Sequence, residues 1–191
     1  MVGFEVQLII IFVKRFYGEV IHMLNFCIPD TDKLILKNLN VDTLKAIFEI
    51  HNNTISFKYA TGIQNEINFN NFSARMREFI SKKNSYFLTV NCPDRGLVGF
   101  VKGLVENDIS WINSLAIDVP YQLNGYGKET VKILEHYLKT QLNVEKIFLS
   151  VAKENTGGIN FWLNCKYSPC DYDKNGKLML KNKAIIMKKS L

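Results

Sequence analysis

The chain has 191 residues, 24 lysines and arginines against 18 acids, 47% hydrophobic and 12% aromatic content, the profile of one globular domain and not of a disordered or fibrous chain. A chain of this length buries about 70% of the surface its unfolded form exposes, so a single core needs no disulfide or metal staple. Cys27, Cys92, Cys165 and Cys170 form no C-x-x-C pair and His22, His51 and His136 are scattered, which excludes a zinc-ligand pattern, predicts no metal and places free thiols in a reducing, cytoplasmic setting.

The net charge of +6 is uneven, with +2 in residues 1–100 and +4 in residues 101–191. Lysines 174, 177, 181, 183, 188 and 189 supply the excess, and twenty of the 24 basic residues are lysine. Lysine is a point charge without the planar fork that reads bases, so this is a solvated basic face and specific nucleic-acid binding is not expected.

In chain order, the β-branched run over 4–13 reads as a strand. It is too short, and too closely flanked by Glu5, Gln7 and Lys14, to span a membrane, and its basic residues follow the apolar run, which is the wrong order for a secretory signal. Residues 1–32 read as an N-terminal extension and 33–191 as the functional domain, although Met23 stands just before the first well-patterned segment. Alternation of Leu34 and Leu36 predicts a strand over 33–39. A helix follows, capped by Asn40 or Asp42, carrying Leu44, Ile47, Phe48 and His51 on one stripe and closing at Asn52-Asn53. Residues 56–69 read as irregular, and a second helix starts near Ser73 with Met76, Phe79 and Ile80 on one face.

Strands are expected over 86–90, 97–105 and 109–119, antiparallel because their turns are short. After Pro120 the period becomes 3.6, predicting a helix to about Leu142, and 146–151 is a near-continuous apolar strand buried on both faces. A strand, a crossover helix and a strand make 109–119 and 146–151 parallel. A short helix over 156–165 and two strands over 167–172 and 178–188, meeting at Lys174-Asn175-Gly176-Lys177, complete the chain.

The segment Asp118-Val119-Pro120-Tyr121-Gln122-Leu123-Asn124-Gly125-Tyr126-Gly127-Lys128 joins a strand to a helix. Its glycines let backbone N–H groups turn inward ahead of the positive end of a helix dipole, which makes an anion site. A Walker A loop requires Gly at 122 and Ser or Thr at 129, where Gln122 and Glu129 stand. A dinucleotide fingerprint requires a third glycine at Thr130 and an acid closing the next strand, whereas Glu145 opens it. A bare glycine turn with nothing bound remains the plain alternative.

The pattern Gln122-x-x-Gly125-x-Gly127, after Leu115-Ala116-Ile117-Asp118, resembles the acetyl-CoA pyrophosphate loop of the GNAT superfamily of N-acetyltransferases. The run Asn155-Thr156-Gly157-Gly158-Ile159-Asn160-Phe161-Trp162-Leu163-Asn164-Cys165-Lys166-Tyr167 is similar to that family's second signature, N-x-x-A-x-x-(F/L)-Y-x-x-x-G-(F/Y). The resemblance spans about 33–188. It implies a single α/β (α+β) domain: a central mixed, mostly antiparallel sheet, splayed between 109–119 and 146–151 and flanked by helices.

The resemblance further implies that acetyl-CoA is the co-substrate and a small-molecule or peptide primary amine the acceptor, with direct transfer in a ternary complex. Leu115, Ala116 and Ile117 then offer backbone groups to the pantetheine arm and thioester carbonyl. The N–H groups of Gln122, Leu123, Asn124, Gly125, Tyr126, Gly127 and Lys128 hold the pyrophosphate, and Asn155 approaches the pantetheine while also capping its helix. Family members often pair through edge strands, which implies a homodimer.

Several positions break the pattern. Trp162 replaces the tyrosine that protonates the departing thiolate; an indole is a donor without a usable titration, so Trp162 packs on the cofactor or the core. The family's glutamate positions correspond to Trp111 and Ser150. Asn113 and Ser114 are the polar candidates left on the splayed strand, Cys165 reads as a structural thiol, and Lys166 stands where the family has glycine. These losses keep open a second reading, a catalytically silent acyl-CoA-binding module. The region 51–84, with Phe57, Tyr59, Phe69 and Phe72 but few acids, is expected to form the acceptor mouth.

Overall fold

The computed structural model describes residues 23–40, 42–62, 65–170 and 183–191. The strand expected over 4–13 and the turn at 174–177 lie outside the described residues. In chain order the elements are β1 (Ile35–Asn38), α1 (Leu44–Asn52), α2 (Thr54–Thr61), α3 (Phe69–Ile80), β2 (Ser85–Cys92), β3 (Gly96–Glu106), β4 (Ile109–Ile117), a 3-10 turn (Val119–Tyr121), α4 (Tyr126–Leu142), β5 (Lys146–Ala152), α5 (Thr156–Asn164), β6 (Ser168–Pro169) and β7 (Ala184–Ser190). They build one seven-stranded sheet in the order β1-β2-β3-β4-β5-β7-β6. Among the described residues only β4 and β5 run parallel, as the crossover through α4 requires.

Strand alternation sorts the apolar residues into two cores. On one face Tyr86, Leu88, Val90 and Val101 pack beneath Val131, Leu134 and Leu138 of α4 and Trp162 of α5. On the other, Phe87, Phe100 and Ala116 meet Leu44, Ile47 and Ile50 of α1, Phe57 of α2 and Phe72, Met76 and Phe79 of α3. Residues 24–28, which the sequence assigns to the extension, pack on the first core. Phe26 is buried and stacks on Tyr137 at 4.7 Å, and the Leu24 N–H donates to the Ser85 carbonyl at 2.7 Å.

Three expectations are corrected. The sequence reads 56–69 as irregular, but 54–61 form α2: the Asn53 side chain accepts the Ser56 N–H and Gly62, at φ 72, closes the helix in the left-handed region. Helix α3 begins at Phe69 and not near Ser73, because the Asn68 side chain caps it by accepting the Asn71 N–H at 2.9 Å. Strand β4 ends at Ile117, two residues early, where Asp118 Oδ1 accepts the Val119 N–H and starts the 3-10 turn. Among the described residues no helix is long and apolar enough to cross a membrane.

Helix α5 closes in a Schellman arrangement: the Tyr167 N–H donates to the Trp162 carbonyl at 3.0 Å and the Lys166 N–H to that of Leu163 at 2.9 Å. The residue between them needs left-handed backbone, and Lys166 adopts it at φ 70. That conformation costs a residue with a Cβ about 1–2 kcal/mol. Lys166→Gly is therefore expected to stabilise the protein by about 1 kcal/mol, a rise in Tm of about 2–4 °C by differential scanning calorimetry.

Candidate active site

The site begins where the sheet divides. β4 and β5 pair only from Ile109↔Lys146 to Ile112↔Leu149, while β5 continues along β7 to Ala152. The break coincides with a bulge: Gly103 lies opposite Ile112 and Lys102 opposite Ser114, so Asn113 is an extra residue in β4. A bulge bends its strand and raises its twist, which turns the edge from Asn113 to Ile117 away from β5. Gly103 permits the close approach there, since a Cβ would lie 2.3 Å from the Trp111 carbonyl oxygen and the Tyr86 hydroxyl.

At the far end of that edge the chain turns into α4. Leu123 and Gly125 take left-handed backbone (φ 62 and 79), and Gly125 caps α4 without a side chain. Two amides hold the loop from within. Gln122 Nε2 donates to the Ile117 carbonyl at 2.9 Å, and Asn124 Nδ2 to the carbonyls of Gln122 and Tyr121 at 2.9 and 3.2 Å. Among the described residues the first N–H past Gln122 to find a backbone acceptor is that of Glu129, on Gly125. The N–H groups of Leu123, Asn124, Gly125, Tyr126, Gly127 and Lys128 are left unpartnered at a helix N-terminus, an anion cradle. Gly127 also lets α4 approach α5, where a Cβ would stand 3.1 Å from the Phe161 ring.

Asn155 caps α5 across the gap, its Oδ1 accepting the Gly158 N–H at 2.9 Å. A Cβ on Gly158 would fall 2.4 Å from Asn155 Nδ2, so the capping amide requires that glycine. Leu115 and Ile117 are half-buried against the α4 side of the sheet and Ala116 is buried on the other. Ser114 is buried and its hydroxyl donates to the Ala60 carbonyl, tying α2 to β4. Asn113 is exposed. It lines a cavity of about 280 Å³ together with Tyr59, Thr61, Gly62, Phe79, Lys82, Lys102 and Leu104. Of the aromatics expected at the mouth, Tyr59 lines it, whereas Phe57 and Phe72 are buried in the core and Phe69 is exposed on α3.

The sequence profile of the acetyltransferase (GNAT) family matches residues 45–167, more than half of the chain. The chain belongs to the GNAT acetyltransferase family. No curated protein matches it at a significant level. A spermidine N-acetyltransferase from Vibrio cholerae, solved with CoA and spermine, aligns with a TM-score of 0.69 at 19% identity over 84% of this chain and 96% of its own. A domain from Methanocaldococcus jannaschii DSM 2661 aligns at 0.68 and 14% identity over 83% of this chain and 99% of its own. At such identities the likeness is one of fold.

In this GNAT domain two of the positions that break the family pattern, Trp162 and Trp111, are taken up by ring packing. Trp162 is 8% exposed, its ring edge-on to Phe161 and Tyr167, each at 5.0 Å. Trp111 stacks on Phe148 at 5.3 Å at the foot of the splay. Ser150 is exposed and pairs with Ile186 of β7. Burial pushes the Cys165 thiol up, so it is poorly suited to stand as a thiolate.

Lys102 is the residue the sequence did not mark. It follows Phe100 by two positions on β3 and so shares its face, and its Nζ lies over the rings of Phe79 and Phe87 at 4.8 and 5.9 Å. Burial, then the fields of Lys82 and Arg75, pulls its pKa down to about 8. Burial, then Lys102 and Arg75, lowers His51 to about 4, leaving it neutral at pH 7. A lysine with a depressed folded-state pKa destabilises the fold below about pH 8, and the cost fades as pH rises to its unfolded value of 10.5. Lys102→Met is expected to raise Tm at pH 7 by about 2–4 °C, a gain that shrinks between pH 8 and 10.5 in pH-resolved thermal melts. His51 destabilises the fold progressively as pH falls from 6.5 towards about 4.

Proposed function

We propose that this chain is an acetyl-CoA-dependent N-acetyltransferase that moves an acetyl group directly to a primary amine within a ternary complex. The observation that carries the reading is the row of unpartnered N–H groups from Leu123 to Lys128 at the end of the β4 edge opened by the splay. Six donors spanning the loop and the first turn of α4 suit a pyrophosphate. The edge at Leu115, Ala116 and Ile117, which β5 no longer pairs and where the Ile117 carbonyl is held by Gln122 Nε2, suits an extended pantetheine arm, which adds to it as a strand adds to a sheet. Asn155 faces that arm with the amide that caps α5, and the thioester is presented beside Asn113.

The acceptor nitrogen attacks the thioester carbonyl, the C–S bond breaks, and the sulfur leaves as CoA thiolate. Holding amine and thioester together supplies about 7–11 kcal/mol. The ammonium formed on attack loses its proton to water, because Trp111 and Ser150 offer no base. General acid–base help is worth about 10²–10⁴-fold, so turnover is expected to be modest. The Trp111–Phe148 stack favours a second reading, an acyl-CoA-binding module without turnover, and release of free thiol with an amine present separates the two.

A ligand at 100 times its Kd adds about 2.7 kcal/mol of stability. Acetyl-CoA and CoA are expected to raise Tm accordingly and a nicotinamide dinucleotide is not; no shift with either CoA species contradicts the reading. Lys128 is exposed in the first turn of α4. Lys128→Glu is expected to weaken acetyl-CoA binding by about tenfold by calorimetric titration. The same acid favours the helix dipole, so the free protein keeps its Tm.

A further inference from the structure

The floor of the cavity beside Asn113 carries positive charge and no acid. Lys102 and Lys82 line it, and among the described residues no acidic side chain does. The partner of Lys82 is Glu78 at 3.9 Å, a contact in which both side chains are more than half exposed, 51% and 77%, so it neutralises little. Lys102 is held otherwise. Among the described residues its ammonium meets two phenyl faces and no carboxylate. On the opposite face of the sheet Lys189 shows the usual arrangement, with Glu135 Oε2 at 2.6 Å. The fields that reach Lys102 from Arg75 and Lys82 are repulsive, and its neighbour His51 is neutral at pH 7.

An ammonium half-buried against rings without a counter-charge is costly, and the ring faces offset only part of the cost. Methionine at this position would avoid it. The same cation lines the cavity that opens beside the start of the splay, where an acceptor amine must approach an acetyl group.

We propose that Lys102 is an anion anchor and that the acceptor is a primary amine bearing a carboxylate, an amino acid or short peptide, rather than a polyamine. The proposal rests on the acetyltransferase reading and adds the substrate class. A carboxylate on Lys102 replaces the missing counter-charge with charge-assisted hydrogen bonds, and Asn113 lies on the side from which the amine reaches the thioester. A polyamine would bring further cations against Lys102 and Lys82, and like charges in a desolvated site repel. The cavity, about 280 Å³, is at the small end for ligand pockets, which suits a compact acceptor.

The test is a set of matched acceptors assayed with acetyl-CoA by thiol release. Each standard amino acid is set against the amine left by its decarboxylation, O-phosphoethanolamine against ethanolamine, and spermidine serves as the polycation. The anionic member of the best pair is expected to lead by about tenfold in kcat/KM, the worth of one hydrogen bond to a charged group. The phosphate pair reports whether the anchor takes any anion or carboxylates alone.

In Lys102→Met that lead disappears through a higher KM for the anionic member, and Lys102→Arg retains it. Preference for spermidine or for the decarboxylated amines overturns the proposal, as does a Lys102→Met variant whose kcat falls equally for both members, the behaviour of a general base. Failure of every anionic amine to bind the CoA-loaded protein in calorimetric titration also overturns it. Loss of CoA binding itself would instead remove the acetyltransferase reading on which the proposal stands.

Discussion

An extra residue in one strand organises this molecule. Because Asn113 has no partner on β3, β4 bends after Ile112 and leaves β5, while β5 stays locked to β7 over its whole length. Two strands that should have shared hydrogen bonds to their ends share them for four residues each. The gap has one face made of backbone polar groups and is closed at its foot by Trp111 stacked on Phe148. Gly99 and Gly103 allow β3 and β4 to follow the bend, since a Cβ on either would stand within 2.3 Å of a β4 carbonyl oxygen. Ser114, just past the bulge, fixes α2 over the same point through Ala60. The cradle for an anion and the cavity for an acceptor therefore approach one bend in one strand from opposite ends.

The two ends differ in how they hold charge. The loop before α4 offers partial positive charge from N–H groups and a helix end, which needs no side chain and carries no burial penalty when exposed. The cavity offers a whole charge on Lys102, half-buried and facing rings. The first arrangement suits a fixed, extended diphosphate. The second suits a small group that arrives with its own charge.

The loop was legible in the sequence because it is contiguous: Gln122, Gly125 and Gly127 sit within six positions, and the two glycines have a backbone reason visible from residue type alone. The order of strands and the parallel β4–β5 pair followed from turn lengths and the change of period at Pro120. Helix α2 was not legible from periodicity, since Thr54, Ile55, Phe57, Tyr59 and Thr61 are β-branched or aromatic residues that read as weak helix formers. Its signals lay at its ends, in Asn53 as cap and Gly62 as stop. Gly158 costs about 1 kcal/mol of helix propensity, and its reason is tertiary, since the Asn155 amide occupies the place of its Cβ. Lys102 could not be found by any local rule. Its cavity draws on α2, α3, β3 and β4, and only the fold puts Asn113 beside a lysine at that depth.

The central claim is that the six N–H groups from Leu123 to Lys128 receive the diphosphate of acetyl-CoA. Amide hydrogen exchange, followed by NMR with and without saturating CoA, reads those groups directly. In the free protein they are expected to exchange freely, and with CoA bound they should become protected together with the β4 edge at Leu115 to Ile117. Protection elsewhere with these amides unchanged, or no protection at all, would contradict the account.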